Sequence, residues 1–154
     1  MAGTERGITE PEPTFSTLFG EPFMPLDPLR YAKMFGDRME RSGTRVYLIN
    51  TGWTGGPYGI GSRMDLPSTR LMVTACLDGS IEEADFTRDP IFNVDVPNRV
   101  DGVSSRVLNP RDTWADKDAY DETARRVAKM FVDNASKKYP DMSEEVRAAG
   151  PIVE

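Results

Sequence analysis

The run Arg45-Val-Tyr-Leu-Ile-Asn-Thr51 constrains the fold most, because it is apolar on both faces from Val46 to Ile49 and feeds directly into glycine. Successive side chains of a strand point to opposite faces, so this pattern suits a strand buried on both sides of a sheet. Gly52 to Gly61 then reads GWTGGPYGIG, holding five of the chain's 13 glycines in ten residues. After Arg63-Met64-Asp65 a helix is predicted from Leu66 or Pro67 to Asp78, with Gly79 at the left-handed stop position. Leu71, Met72, Val73, Ala75, Cys76 and Leu77 leave that helix little polar face, so it is expected to be largely buried. Strand, glycine loop and helix make half of a βαβ unit, and a parallel strand needs a sheet beside it. The chain offers few candidates for that sheet. It therefore reads as part of an α/β domain rather than the whole of one.

Outside this block the pattern alternates between punctuation and helix. The first 28 residues carry five prolines and three glycines, which leaves neither a helical nor a strand period. Phe15, Leu18, Phe19, Phe23, Met24 and Leu26 nevertheless argue against a solvated tail, and residues 1–26 are expected to form an irregular packing arm. Asp27-Pro28 has the cap and first position of a helix, Tyr31, Phe35 and Met39 its apolar stripe, and Gly43 its stop. Short strands are predicted at Ala84–Thr87 and Ile91–Val96, broken by Asp89-Pro90 and Pro97. A long helix is predicted from Ala115 or Asp116 to about Lys138, striped by Tyr120, Ala124, Val127, Ala128, Phe131 and Ala135. Ser143-Glu144-Glu145-Val146 starts a short terminal helix, and no internal repeat is present.

Composition removes several chemistries. With 154 residues the chain suits one domain. A formal charge of −6 disfavours general binding to a phosphodiester backbone. Histidine is absent, which excludes Ser-His-Asp and Cys-His catalysis and zincin motifs. Cys76 is the single cysteine, so neither an intrachain disulfide nor a cysteine zinc cage forms, and on an apolar helix it is expected to be inert. No apolar run approaches the roughly 18 residues of a membrane span, and the N-terminus has no signal-peptide core. Cytoplasm is the expected compartment.

A strand that feeds a glycine-rich turn into a helix is a standard place for a nucleotide, because bare backbone approaches it closely. Gly56–Gly61 has the GxxxxG spacing of a P-loop, but Ser62-Arg63 follows where Lys and Ser/Thr are required. On spacing alone, a lid loop without phosphate contacts is the better-favoured reading. The flat guanidinium of Arg63 suits a purine face or an anion, against the alternative of a surface arginine paired with Asp65. Thr69 suits a ligand contact at the helix start or an N-terminal hydroxyl. Trp53 and Tyr58 either line a pocket or anchor the loop. The pairs Glu82-Glu83 and Glu144-Glu145, and the charges of Asp116–Arg126, read as solvated rather than as metal ligands or catalysts.

Several segments resemble the C-terminal region of ATP-dependent phosphoenolpyruvate carboxykinase. They are Gly3-Thr-Glu-Arg-Gly-Ile-Thr-Glu-Pro11, Thr14-Phe-Ser, Asn50-Thr-Gly-Trp-Thr-Gly-Gly-Pro-Tyr-Gly59, Leu108-Asn-Pro-Arg-Asp-Thr-Trp-Ala115 and Ala148-Ala-Gly-Pro151. The resemblance runs from about Ala2 to the end. It implies an α/β fold, the C-terminal part of a mixed-sheet nucleotide-binding domain, incomplete on its own. It also implies a single partial domain over residues 1–154, with residues 52–62 as its glycine-rich loop. The family converts oxaloacetate and ATP into phosphoenolpyruvate, ADP and carbon dioxide in gluconeogenesis, using Mg²⁺ and a second divalent ion, usually Mn²⁺. Carried over by resemblance, contact with the adenine end of ATP falls to Arg63 and Met64, with Thr69 a few positions on. The family's P-loop, metal-binding Lys, His and Asp, and oxaloacetate-clamping arginines lie N-terminal to everything here, so no catalytic or metal-binding residue is assigned. Two departures are Ser62, where lysine usually precedes the arginine, and Asp27, where histidine is common. Three readings follow: an inactive C-terminal piece of the enzyme, a nucleotide-binding module that complements a separate N-terminal part, and a remnant without function.

Overall fold

The computed structural model describes Gly7, Phe15 and residues 23–153. Two compact units emerge, Met1–Val46 with Asn134–Met142, and Tyr47–Asp133 with Ser143–Glu154. Most of the expected packing arm, residues 1–26, lies outside the described residues; within it Phe23 and Leu26 are exposed.

In the first unit, α1 spans Pro28–Ser42 with the caps its sequence foretells. The Asp27 carboxylate accepts from the Leu29 N–H at 2.8 Å, and Gly43 closes the helix at φ 63° with its N–H on the Met39 carbonyl. A glycine is suited there because the left-handed region costs other residues about 1 kcal/mol. No residue of α1 is buried.

The second unit is built from short pieces. A two-residue hairpin, β1 (Trp53–Thr54) with β2 (Ser62–Arg63), leads into α2 (Leu66–Asp78), and a 3₁₀ turn covers Ser80–Glu83. A second hairpin pairs β3 (Phe86–Arg88) with β4 (Asp95–Pro97), in the register Phe86↔Pro97, Thr87↔Val96 and Arg88↔Asp95. Two one-turn helices follow, α3 (Ser105–Leu108) and α4 (Pro110–Thr113), then α5 (Lys117–Lys138) and α6 (Glu144–Ala148). From Asn134 on, α5 falls in the first unit. The fold is therefore α/β, with both sheets of the described residues antiparallel and two-stranded. No described helix is long and apolar enough to cross a membrane.

The core is small. Ala75, Ile81 and Val100 are buried together, with Tyr47, Met72, Cys76, Val103 and Leu108 packed on them. On α5, Ala124 and Ala128 are buried as the stripe foretells, whereas Phe131 is half exposed. Among the described residues no large side chain is fully buried.

Three expectations require correction. Residues 45–51 are not a strand: Val46 and Leu48 are exposed, Leu48 to 89%, and no ladder includes them. A two-faced apolar strand exists only when neighbours hydrogen-bond both edges, and neither local hairpin supplies one. Likewise α2 has its expected limits and its Asp65 cap, but only Ala75 of it is buried and Leu77 is 83% exposed. An all-round apolar helix needs cover on every side, and this core reaches one face. The hairpin strands are also displaced from 84–87 and 91–96, because the Asp89 carboxylate accepts from the Ile91 and Phe92 N–H groups at 2.8 and 2.6 Å. That side chain turns residues 91–92 out of the ladder.

Candidate functional site

Local chemistry builds the glycine loop. Thr54 faces Ser62 and Trp53 faces Arg63 across the hairpin, and the Met64 N–H donates to the Gly52 carbonyl at 2.7 Å. Asn50 braces the entry, accepting from Gly52 N–H at 2.8 Å and donating to Trp53 O at 3.1 Å. At the tip the Ile60 and Gly61 N–H groups donate to Pro57 O at 3.0 and 2.9 Å. The Gly55 N–H is taken by the Thr113 hydroxyl at 3.0 Å. The amides of Gly52, Gly55, Ile60 and Gly61 are thus already turned inward, which is a poor cradle for phosphate. Trp53 and Tyr58 pack edge to face on each other at 5.4 Å and remain about half exposed, so neither buries the loop.

Arg63, Met64 and Thr69 come from three adjacent stations: strand β2, the residue after it, and the first turn of α2. Arg63 is exposed, and its Nε donates to Thr51 O at 3.4 Å. The surface alternative paired it with Asp65, but the Asp65 carboxylate accepts from the Ser68 N–H at 2.8 Å and caps α2. That hydrogen bond holds the Asp65 carboxyl below its ordinary value. With a carboxylate already at the helix N-terminus, a phosphate there meets like charge. Met64 is 9% exposed, so its side chain packs inward, and its backbone is fixed by Gly52. The Thr69 hydroxyl donates to Asp65 O at 2.9 Å, leaving its oxygen to accept from a donor such as an exocyclic amine.

Sequence reading missed two groups. Thr113 joins the glycine loop to a segment 58 residues away, and such a contact leaves no periodic signal; its only trace is membership of the Leu108–Ala115 motif. The charges of Asp116–Arg126 are also not all solvated. Asp116 caps α5 through the Asp118 and Ala119 N–H groups, and Asp121 takes two hydrogen bonds from Arg111 at 2.8 and 3.0 Å. The Arg111–Asp121 pair lines a cleft of ≈ 940 Å³ with Arg88, Leu108, Tyr120 and Ile152, and none of Arg63, Met64 or Thr69 borders it.

The pair makes a pH prediction. Its hydrogen bond to Arg111 holds the Asp121 carboxyl below the ordinary value of 3.8, as Ser80 does for Asp78 and Ser68 for Asp65. A carboxyl that binds its proton less readily when folded contributes stability that is whole above 3.8 and lost as pH falls through the folded value. Urea midpoints are therefore expected to drop as pH falls below about 4. Asp121→Asn should flatten that dependence; an unchanged slope would contradict the assignment.

Among the described residues no group of three or more His, Cys, Asp or Glu is placed to hold a metal. Glu82 accepts from the Tyr47 hydroxyl at 3.1 Å, and Glu144 and Glu145 lie in the first turn of α6.

Residues 1–106 match the family model described as phosphoenolpyruvate carboxykinase. The chain belongs to the phosphoenolpyruvate carboxykinase family. It is 56% identical over 151 residues to the phosphoenolpyruvate carboxykinase (ATP) of Caldanaerobacter subterraneus subsp. tengcongensis, covering 98% of this chain and 29% of that one. Similarity to the proteins of the same name from Fusobacterium nucleatum (53% over 151 residues, 98% of this chain) and Thermus thermophilus (51% over 154 residues, 100% of this chain) is comparable, again over 29% of each relative. The chain thus spans less than a third of the length of these carboxykinases.

Proposed function

We propose that the chain is the C-terminal portion of an ATP-dependent carboxykinase, a single partial domain that contributes the adenine side of the ATP site. The full enzyme turns oxaloacetate and ATP into phosphoenolpyruvate, ADP and carbon dioxide. The observation that carries this reading is the construction of residues 50–69, which leaves the Arg63 guanidinium exposed, with its Nε on Thr51 O, while the Gly52, Gly55, Ile60 and Gly61 amides are bonded within the chain. Such a site favours a flat, amino-bearing ring over a phosphate. Arg63 stacks on the ring, Met64 forms the floor, and Thr69 accepts from the ring's amino group.

The same reading makes the chain inactive alone. Phosphoryl transfer needs metal ions and cationic clamps on the phosphates, and the donor sets described above do not fit a divalent ion. No step is therefore assigned to these residues beyond holding and orienting the nucleotide. The family's Mg²⁺ and Mn²⁺ would be held by parts of the enzyme N-terminal to this segment. A second reading, a module that complements a separately made N-terminal part, is favoured by the exposed apolar side chains of Leu48 and Leu77.

One experiment separates them. The purified chain is expected to show no oxaloacetate-dependent ATP consumption but to bind adenosine, with Arg63→Ala weakening binding about fivefold to tenfold. Turnover restored by an N-terminal carboxykinase portion would support the complementing module. Turnover by the chain alone would overturn the inactivity, and full adenosine affinity in Arg63→Ala would overturn the adenine reading.

A further inference from the structure

The motif Leu108–Ala115 is not among the proposed adenine contacts, yet its single hydroxyl, on Thr113, takes two hydrogen bonds from the loop that presents them. α4 ends at Thr113, whose O–H donates to the Pro110 carbonyl at 2.6 Å. The same oxygen accepts from the Gly55 N–H at 3.0 Å and from the Thr54 hydroxyl at 3.1 Å. A hydroxyl has one donor and two acceptor sites, so all three are used. Gly55 sits at φ 79°, and a Cβ there would come within 3.4 Å of the Thr113 carbonyl, so the backbones are close as well. The loop's other anchors, Asn50, Gly52 and Pro57, are neighbours in sequence that shape it without tying it to anything distant.

We propose that Thr113 is a positioning residue, a latch that sets where Arg63 and Met64 stand. The path is short. Thr113 fixes Thr54 and Gly55; the hairpin register then places Ser62 and Arg63; the Gly52–Met64 hydrogen bond places Met64. The inference rests on the adenine reading only for its functional consequence, since the latch itself is a property of the free chain.

The test compares Thr113→Val, which keeps the shape and removes the hydroxyl, with Thr113→Ser, which keeps the hydroxyl. In Thr113→Val the Gly55 amide is expected to exchange about tenfold faster, the size of one lost hydrogen bond. The amide signals of Ser62, Arg63 and Met64 should move while those of Ala75, Ile81 and Val100 stay. Adenosine affinity should fall about tenfold in Thr113→Val and stay within about twofold in Thr113→Ser. Unchanged Gly55 exchange in Thr113→Val, or equal defects in both variants, would overturn the latch. Should Thr113→Val lose its core signals, Thr54→Val decides: a shift at Arg63 and Met64 supports the latch, and none refutes it. A wild-type chain that ignores adenosine would overturn the adenine reading, and the exchange and shift results would then decide the latch by themselves.

Discussion

Replacing Gly61 with alanine is expected to open the glycine-loop hairpin at a cost of about 2–3 kcal/mol. A Cβ at Gly61 would meet the Gly56 carbonyl oxygen in a forbidden contact and the Thr54 carbonyl oxygen at 2.6 Å. Both atoms are backbone, so no rotamer change relieves the clash, and β1 and β2 must separate. Arg63 moves with β2, which joins the stability of the hairpin to the candidate site. Gly59 is the control: unlike Gly61 it has positive φ, at 86°, but nothing lies within 4 Å of its added Cβ. Gly59→Ala should therefore cost only the left-handed strain, about 1 kcal/mol. Amide exchange at Ile60, Gly61 and Met64, with thermal unfolding of both variants, reads the difference. Equal losses in the two would show that close approach at Gly61 is not what holds the hairpin.

Asn93→Ala is the second large effect, at about 2–3 kcal/mol. Asn93 is the only non-glycine residue of the described chain with positive φ, at 57°. Asparagine tolerates that region, and its side chain here donates to the Ala148 and Gly150 carbonyls at 3.2 and 3.3 Å. The Ile152 N–H adds a bond to Ile91 O at 2.8 Å, so the turn between β3 and β4 holds the segment after α6. Asn93→Gly keeps the backbone conformation and loses only the two side-chain bonds, so it should cost about 1–2 kcal/mol. Urea unfolding of the two variants checks this, and faster proteolysis after Ala148 should accompany both. Stability equal to wild type in Asn93→Ala would remove the turn from the account.

What sequence made legible here was local. The Asp27 cap, the Gly43 stop and the stripe of α1 act within one or two turns, and α1, α5 and α6 are found where those signals place them. The apolar content of 45–51 and of α2 was equally plain, but burial needs a second surface. Leu48 and Leu77 show that these residues do not find one among themselves. The β3–β4 register escaped because one Asp89 carboxylate decides it. At the candidate site the loop stood out by its glycine composition, whereas the adenine role of Arg63 came from the family resemblance and not from spacing. Thr113 did not, since a hydroxyl acting across 58 residues has no pattern along the chain.

The most direct measurement is a titration of the purified chain with ATP and with adenosine, followed by amide chemical shifts. Saturable shifts are expected at Arg63, Met64 and Thr69 with both ligands, and similar affinities, if the chain contributes the adenine side as proposed. Dispersed spectra with no shifts at these residues would contradict the claim that this chain carries a formed adenine half-site.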